Sequence, residues 1–193
     1  MSRRIVLAAC VLMLTSAVHA EIASVSQTLD YTDNGSGYYF WLPTETIDHS
    51  PYFRMCNEDW GWTHDMQSLV PANATGIDAA TLSIRAWDVD TPSNECDLIY
   101  ANGTYLGQLD GNIDQFVTTS FELPASVLNA LWSGGDVDVF MNIDRYVTGN
   151  RVTIVSSMLT VDYITNGAVP EPAPCALLGL GGLCLLRRRR SHI

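Results

Sequence analysis

The sequence predicts an all-β fold, an antiparallel, jelly-roll-like β-sandwich with one short helical crossover. Three observations carry that expectation. Nine short runs rich in β-branched and aromatic residues are separated by Gly, Asn, Asp and Pro turns. No long helical period occurs, and two runs alternate cleanly between apolar and polar positions.

In chain order the expected strands are Val25 to Tyr31, Tyr38 to Leu42, Tyr52 to Met55, Ala80 to Asp88, Asp97 to Ala101, Tyr105 to Leu109, Gln115 to Leu123, Asp136 to Asp144 and Val152 to Tyr163. Leu82, Ile84 and Ala86 share one face of their run. Val137, Val139, Met141 and Ile143 share a face of theirs, with Asp136, Asp138 and Asp144 directed away. In the last run Val152 and Ile154 have one parity and Leu159, Val161 and Tyr163 the other, so a bulge near Ser156 to Met158 is expected. Asn102-Gly103 between two runs is a type I′ hairpin signal, because both central residues need positive φ. The helical candidate is Pro124 to Trp132, where Val127, Leu128 and Leu131 fall at helical spacing.

The chain has 193 residues, 47% of them hydrophobic, which supplies one core and excludes a disordered or collagen-like chain. It contains no lysine, and six of its ten arginines sit at the ends, at Arg3, Arg4 and Arg187 to Arg190. Between Glu21 and Val169, 20 acids face only Arg54, Arg85, Arg145 and Arg151, a net charge of −16. Such a surface repels phosphate backbones, so nucleic acid is excluded as a partner of the folded part.

The two ends read as addresses. Arg3 and Arg4 precede an apolar run from Ile5 to Leu14, followed by Val18-His19-Ala20. That is the three-part pattern of a signal peptide over residues 1–20, with the mature chain starting at Glu21. A ten-residue run covers about 15 Å as a helix, against roughly 30 Å of hydrocarbon, so a permanent N-terminal anchor is disfavoured. At the other end Val169-Pro170-Glu171-Pro172-Ala173-Pro174 leads into the apolar Cys175 to Leu186 and then Arg187, Arg188, Arg189 and Arg190. The prolines confine any helix to the apolar segment, and arginines beyond it leave the tail end cytoplasmic and the bulk of the chain outside.

This tail, residues 167–193, resembles the PEP-CTERM sorting signal of bacterial exported proteins: Pro170-Glu171-Pro172, then Leu177 to Leu183 rich in Gly and Leu, then the arginine cluster. It departs from the pattern at Cys175 and Cys184, where Ala or Leu is more usual. The resemblance implies recognition by an exosortase-type transpeptidase, transient membrane contact through the tail, and release or transfer to the cell surface. It also implies association with exopolysaccharide and biofilm matrix. The intervening domain, residues 21–166, loosely resembles uncharacterised PEP-CTERM proteins with an acidic-Trp-Gly-Trp-Thr-His stretch followed by Trp-Asp-Val-Asp, a likeness that brings no established activity.

Removing the ends leaves Cys56 and Cys96 in an exported domain, where a disulfide between them is permitted and would close a loop of about 40 residues worth roughly 3 to 4 kcal/mol. The densest acidic stretch pairs Asp88 with Asp90 and Glu95 with Asp97 on strands joined by a tight loop. Four converging carboxylates call for a cation, and a structural calcium ion is the hard-cation choice outside the cell, with Asp59 and Asp144 as further ligands. The same residues would also suit a solvated acidic turn.

Glu58-Asp59-Trp60-Gly61-Trp62-Thr63-His64 has the ingredients of a sugar subsite: Trp60 and Trp62 as flat rings, with Glu58 and His64 to take hydroxyls. The alternative is a pair of tryptophans plugging one end of the sandwich. Glu58 and Asp59 beside His64 are a weak hydrolase set, no Gly-x-Ser-x-Gly occurs, and zinc is disfavoured with only His49 and His64 as imidazoles. The sequence is therefore read as non-catalytic. Two functions stay open: a surface or matrix protein associated with extracellular polysaccharide, and a carbohydrate-binding module using Trp60 and Trp62.

Overall fold

A computed structural model describes residues 20–35, 39–90, 96–143 and 150–166. The signal peptide, the sorting tail, Glu95 and Asp144 lie outside the described residues. Glu21–Thr165 forms one compact unit.

Among the described residues nine strands and one α-helix follow in order: β1 (Ala20–Leu29), β2 (Phe53–Met55), β3 (Trp60–Asp65), β4 (Ala74–Trp87), β5 (Leu98–Ala101), β6 (Thr104–Gln108), β7 (Phe116–Glu122), α1 (Ala125–Gly134), β8 (Asp136–Asn142) and β9 (Arg151–Asn166). They build two sheets. One runs β1-β9-β4-β7, with β2 added antiparallel to the start of β9; the other runs β3-β8-β5-β6. Apart from the β5–β6 hairpin, successive long strands alternate between the sheets, the double Greek-key connectivity of a jelly roll. The all-β sandwich expected from the sequence is the observed fold.

The core lies between the sheets and follows the two-residue period of each strand. Leu82, Ile84, Leu159 and Val161 come from one sheet, and Ile99, Val137, Val139 and Met141 from the other; all are buried. The helix closes one side with Val127 and Leu131, and ends on Gly135 at φ +84°, whose N–H donates to Leu131 O. Asn102 and Gly103 have φ of +46° and +74°, as the hairpin signal required.

Three elements differ from expectation. Residues 39–42 form no strand. Phe40 is instead held by the Asn34 side chain, whose Nδ2 donates to Phe40 O and whose Oδ1 accepts from Phe40 N, so an amide takes the place of a neighbouring strand. The irregularity in β9 falls one residue before the expected stretch: Arg85 faces Ser156 while Ala86 faces Ile154, which leaves Val155 as the extra residue. Finally, Trp60–Asp65 is an edge strand of its sheet, paired in register with β8 from Trp60↔Met141 to Asp65↔Asp136.

Candidate functional site

The alternation of β3 settles where its side chains go. Trp60, Trp62 and His64 point inward and Gly61, Thr63 and Asp65 outward. Trp60 and Trp62 are only 5% and 2% exposed, and their rings pack against each other at 5.3 Å and against Phe40 at 5.5 and 5.9 Å. A ring packed in this way offers no face to a pyranose, so the expected Trp60/Trp62 stacking platform is corrected to a core cluster. One oxygen of Glu58 is engaged locally: its Oε2 accepts from Met55 N at 2.8 Å and clamps the turn that enters β3.

His64 is fully buried, and its tautomer follows from its neighbours. Gln27 Nε2 donates to Asp65 O at 3.0 Å, which turns Gln27 Oε1 towards His64 Nδ1 at 3.1 Å. Nδ1 therefore carries the proton, and Nε2 accepts from the Ser157 hydroxyl at 2.9 Å. Burial lowers the imidazole pKa from 6.5 to about 4. The ring nitrogens are engaged by Gln27 and Ser157 rather than by Glu58 or Asp59, so the acid/base grouping weighed from the sequence is not assembled.

The acidic residues are distributed over several backbone tasks. Asp88 adopts φ +61°, and its Oδ1 accepts from Asp114 N at 2.9 Å. Asp59 Oδ1 accepts from Ile143 N at 3.1 Å, while Asp97 is fully buried and its carbonyl accepts from Leu109 N. Asp90 is half-buried beyond the end of β4. Among the described residues no group of three or more His, Cys, Asp or Glu is arranged to hold a metal ion. Of the residues of the expected disulfide, Cys56 Sγ accepts from Asn57 Nδ2 at 3.1 Å and Cys96 Sγ donates to Gln108 Oε1 at 3.5 Å.

A feature that sequence reasoning missed lies on the outer face of the β3-β8-β5-β6 sheet. Gly61 faces Phe140, Phe140 faces Tyr100, and Tyr100 faces Tyr105, so one row crosses all four strands. Ring centroids are 6.1 Å apart from Phe140 to Tyr100 and 5.5 Å from Tyr100 to Tyr105. Phe140 is 42% and Tyr105 55% exposed, with Tyr100 half-buried between them. Gly61 stands at the β3 end of the row, where a Cβ would sit 2.9 Å from Val139 O.

Polar groups border the row on both sides. On one, Thr63 Oγ1 donates to Asp138 Oδ1 at 2.7 Å, and Asn102 exchanges bonds with the Asp138 backbone. On the other lie Asn142 and Gln108, each opposite Leu98. The sequence signal was present but easy to pass over: Phe140 is the apolar exception on the outward side of Asp136, Asp138 and Asn142.

Among the described residues no helix is long and apolar enough to cross a membrane. No protein-family model and no curated protein matches the chain. Among solved structures it is similar to the crystal structure of dimeric latent PorU from Porphyromonas gingivalis, at 9% identity and a TM-score of 0.43, over 79% of this chain and 14% of that one.

Proposed function

We propose that the chain is an exported, non-catalytic surface or extracellular-matrix protein whose jelly-roll domain binds neutral polysaccharide through Phe140, Tyr100 and Tyr105. The observation that carries this reading is the alignment of three aromatic rings, one from each of three adjacent strands, on the outer sheet face. Aromatic faces stack on the C–H faces of sugars, and the bordering Asp138, Thr63, Asn102, Asn142 and Gln108 are of the types that take hydroxyls. The ring row is small beside the 1,000 Å² or so that a stable protein interface buries, which favours a chain of sugars over a folded partner. With a net charge of −16 between Glu21 and Val169, the surface disfavours polyanionic glycans. The signal peptide and PEP-CTERM-like tail supply the route: export, transient tethering, and exosortase-type processing to the cell surface or matrix.

Affinity electrophoresis of the mature chain through gels containing neutral or polyanionic polysaccharide tests the reading. Retardation by a neutral polymer, lost in Tyr105→Ser/Phe140→Ser while the thermal midpoint is kept, is the expected result. Equal retardation of the double variant overturns it.

A further inference from the structure

A second site stands on the other sheet, where β2 joins β9. Tyr39, Ser50, Phe53, Arg54 and Glu58 line a cleft of about 370 Å³. Arg54 is one of only four arginines between Glu21 and Val169. The guanidinium carbon lies 5.3 Å from the Tyr39 ring centroid and 5.4 Å from that of Trp60, so two aromatic rings hold the fork in place. Arg54 Nε is buried and has no hydrogen-bond partner among the described residues. The ion pair formed among those residues is Arg151 with Asp48, at 3.9 Å, and it leaves Arg54 aside.

Arg54 pairs with none of the described carboxylates. Burying a charged donor without an acceptor costs free energy that a ligand would return. Capping the edge of the Trp60 cluster accounts for the cation over the ring, yet it leaves the Nε–H without an acceptor. A planar fork held between rings matches a carboxylate, which it can engage through two parallel bonds. The rest of the lining narrows the ligand. Phe53 and Tyr39 offer ring surface, Ser50 a hydroxyl, and the Glu58 carboxylate accepts hydroxyl protons while repelling a second negative charge. The volume is at the low end of small-molecule sites and suits one sugar-sized unit.

We propose that this cleft binds a single hydroxylated carboxylate of the uronic-acid type, with Arg54 holding the carboxylate and Ser50 and Glu58 the hydroxyls. It is separate from the outer-face aromatic row, so loss of neutral-glycan binding in Tyr105→Ser/Phe140→Ser leaves it untouched.

The test is an NMR titration of the 15N-labelled mature chain with sodium glucuronate, sodium acetate and glucose, each at constant ionic strength. Glucuronate is expected to shift the Arg54 Nε–H resonance saturably, with glucose inert and acetate weaker. Arg54→Lys, which keeps the charge but loses the fork, is expected to weaken glucuronate binding about ten- to a hundred-fold. The wild-type resonance needs no variant, so it decides the matter even if Arg54→Lys folds poorly. Absence of a saturable shift at Arg54 overturns the site, and equal affinity for acetate and glucuronate overturns its assignment to a sugar acid.

Discussion

His64 ties the two sheets together from a position without water, and that makes stability depend on pH in a calculable way. Its imidazole titrates at 6.5 when unfolded and at about 4 when folded, because burial penalises the cation. The folded pKa is the lower of the two, so the unfolded state binds more protons as pH falls below 6.5. Stability is therefore fully present above that value and is lost progressively down to about pH 4. At 1.36 kcal/mol per pH unit the complete effect is about 3.4 kcal/mol. At pH 5 the unfolded ring is almost all charged and the folded ring almost all neutral, which removes about 2 kcal/mol relative to pH 8. Carboxylates titrate in the same range, so the assay is a comparison: urea unfolding of the wild type and of His64→Gln at pH 8 and pH 5. Groups common to both proteins cancel. The variant should be the less stable at pH 8, having lost one or both bonds to Gln27 and Ser157, and the gap should narrow by about 2 kcal/mol at pH 5. A gap that stays constant across that range, or an imidazole proton that titrates near 6.5 in the folded protein, refutes the buried neutral histidine.

Other outcomes follow from single positions. Gly103→Ala should cost about 1 kcal/mol, read as a thermal midpoint roughly 2 to 4 °C lower, because φ is +74° there although no atom crowds the new methyl. Gly61→Ala should cost about 1 to 3 kcal/mol through contact with Val139 O, which urea unfolding would report. Leu159→Ala should lose about 2 to 5 kcal/mol in urea unfolding, whereas its 39%-exposed neighbour Met158→Ala should change stability by less than about 0.5 kcal/mol.

Much of the scaffold was legible because alternation is a direct consequence of strand geometry. Val137, Val139, Met141 and Ile143 announce their face in the sequence, and the structure buries all four. Trp60 to His64 leaves two readings open in the sequence, a sugar subsite and a tryptophan plug, and the burial of both rings fits the plug. The stretch alternates as strictly as β8, but a histidine inward and a glycine outward disguise the pattern. Phe40 was read as part of a strand because its neighbours are aromatic, and nothing in a local window reveals that the Asn34 amide supplies its pairing. The Arg54 cleft was illegible for a related reason. Its rings come from Tyr39 and Trp60, on either side of the strand that carries the arginine, and only the tertiary fold sets them around one guanidinium.

The outer-face row shows what a sheet adds to a sequence that is otherwise polar on that side. Residues 100, 105 and 140 share no motif, and each alone would be an ordinary exposed aromatic. Register makes them a row: Tyr100 faces Phe140 across one ladder and Tyr105 across the other. A one-residue slip of β8 would turn Phe140 into the core and push Val139 and Met141 out, so the burial that stabilises the sandwich also fixes the row. The β5–β6 pairing is pinned separately by the Asn102-Gly103 turn, whose positive φ values admit only that hairpin. The row is thus maintained by residues that never touch a ligand. Gly61 extends the same logic to β3, because a Cβ there would press on Val139 O in the ladder that holds Phe140 outward.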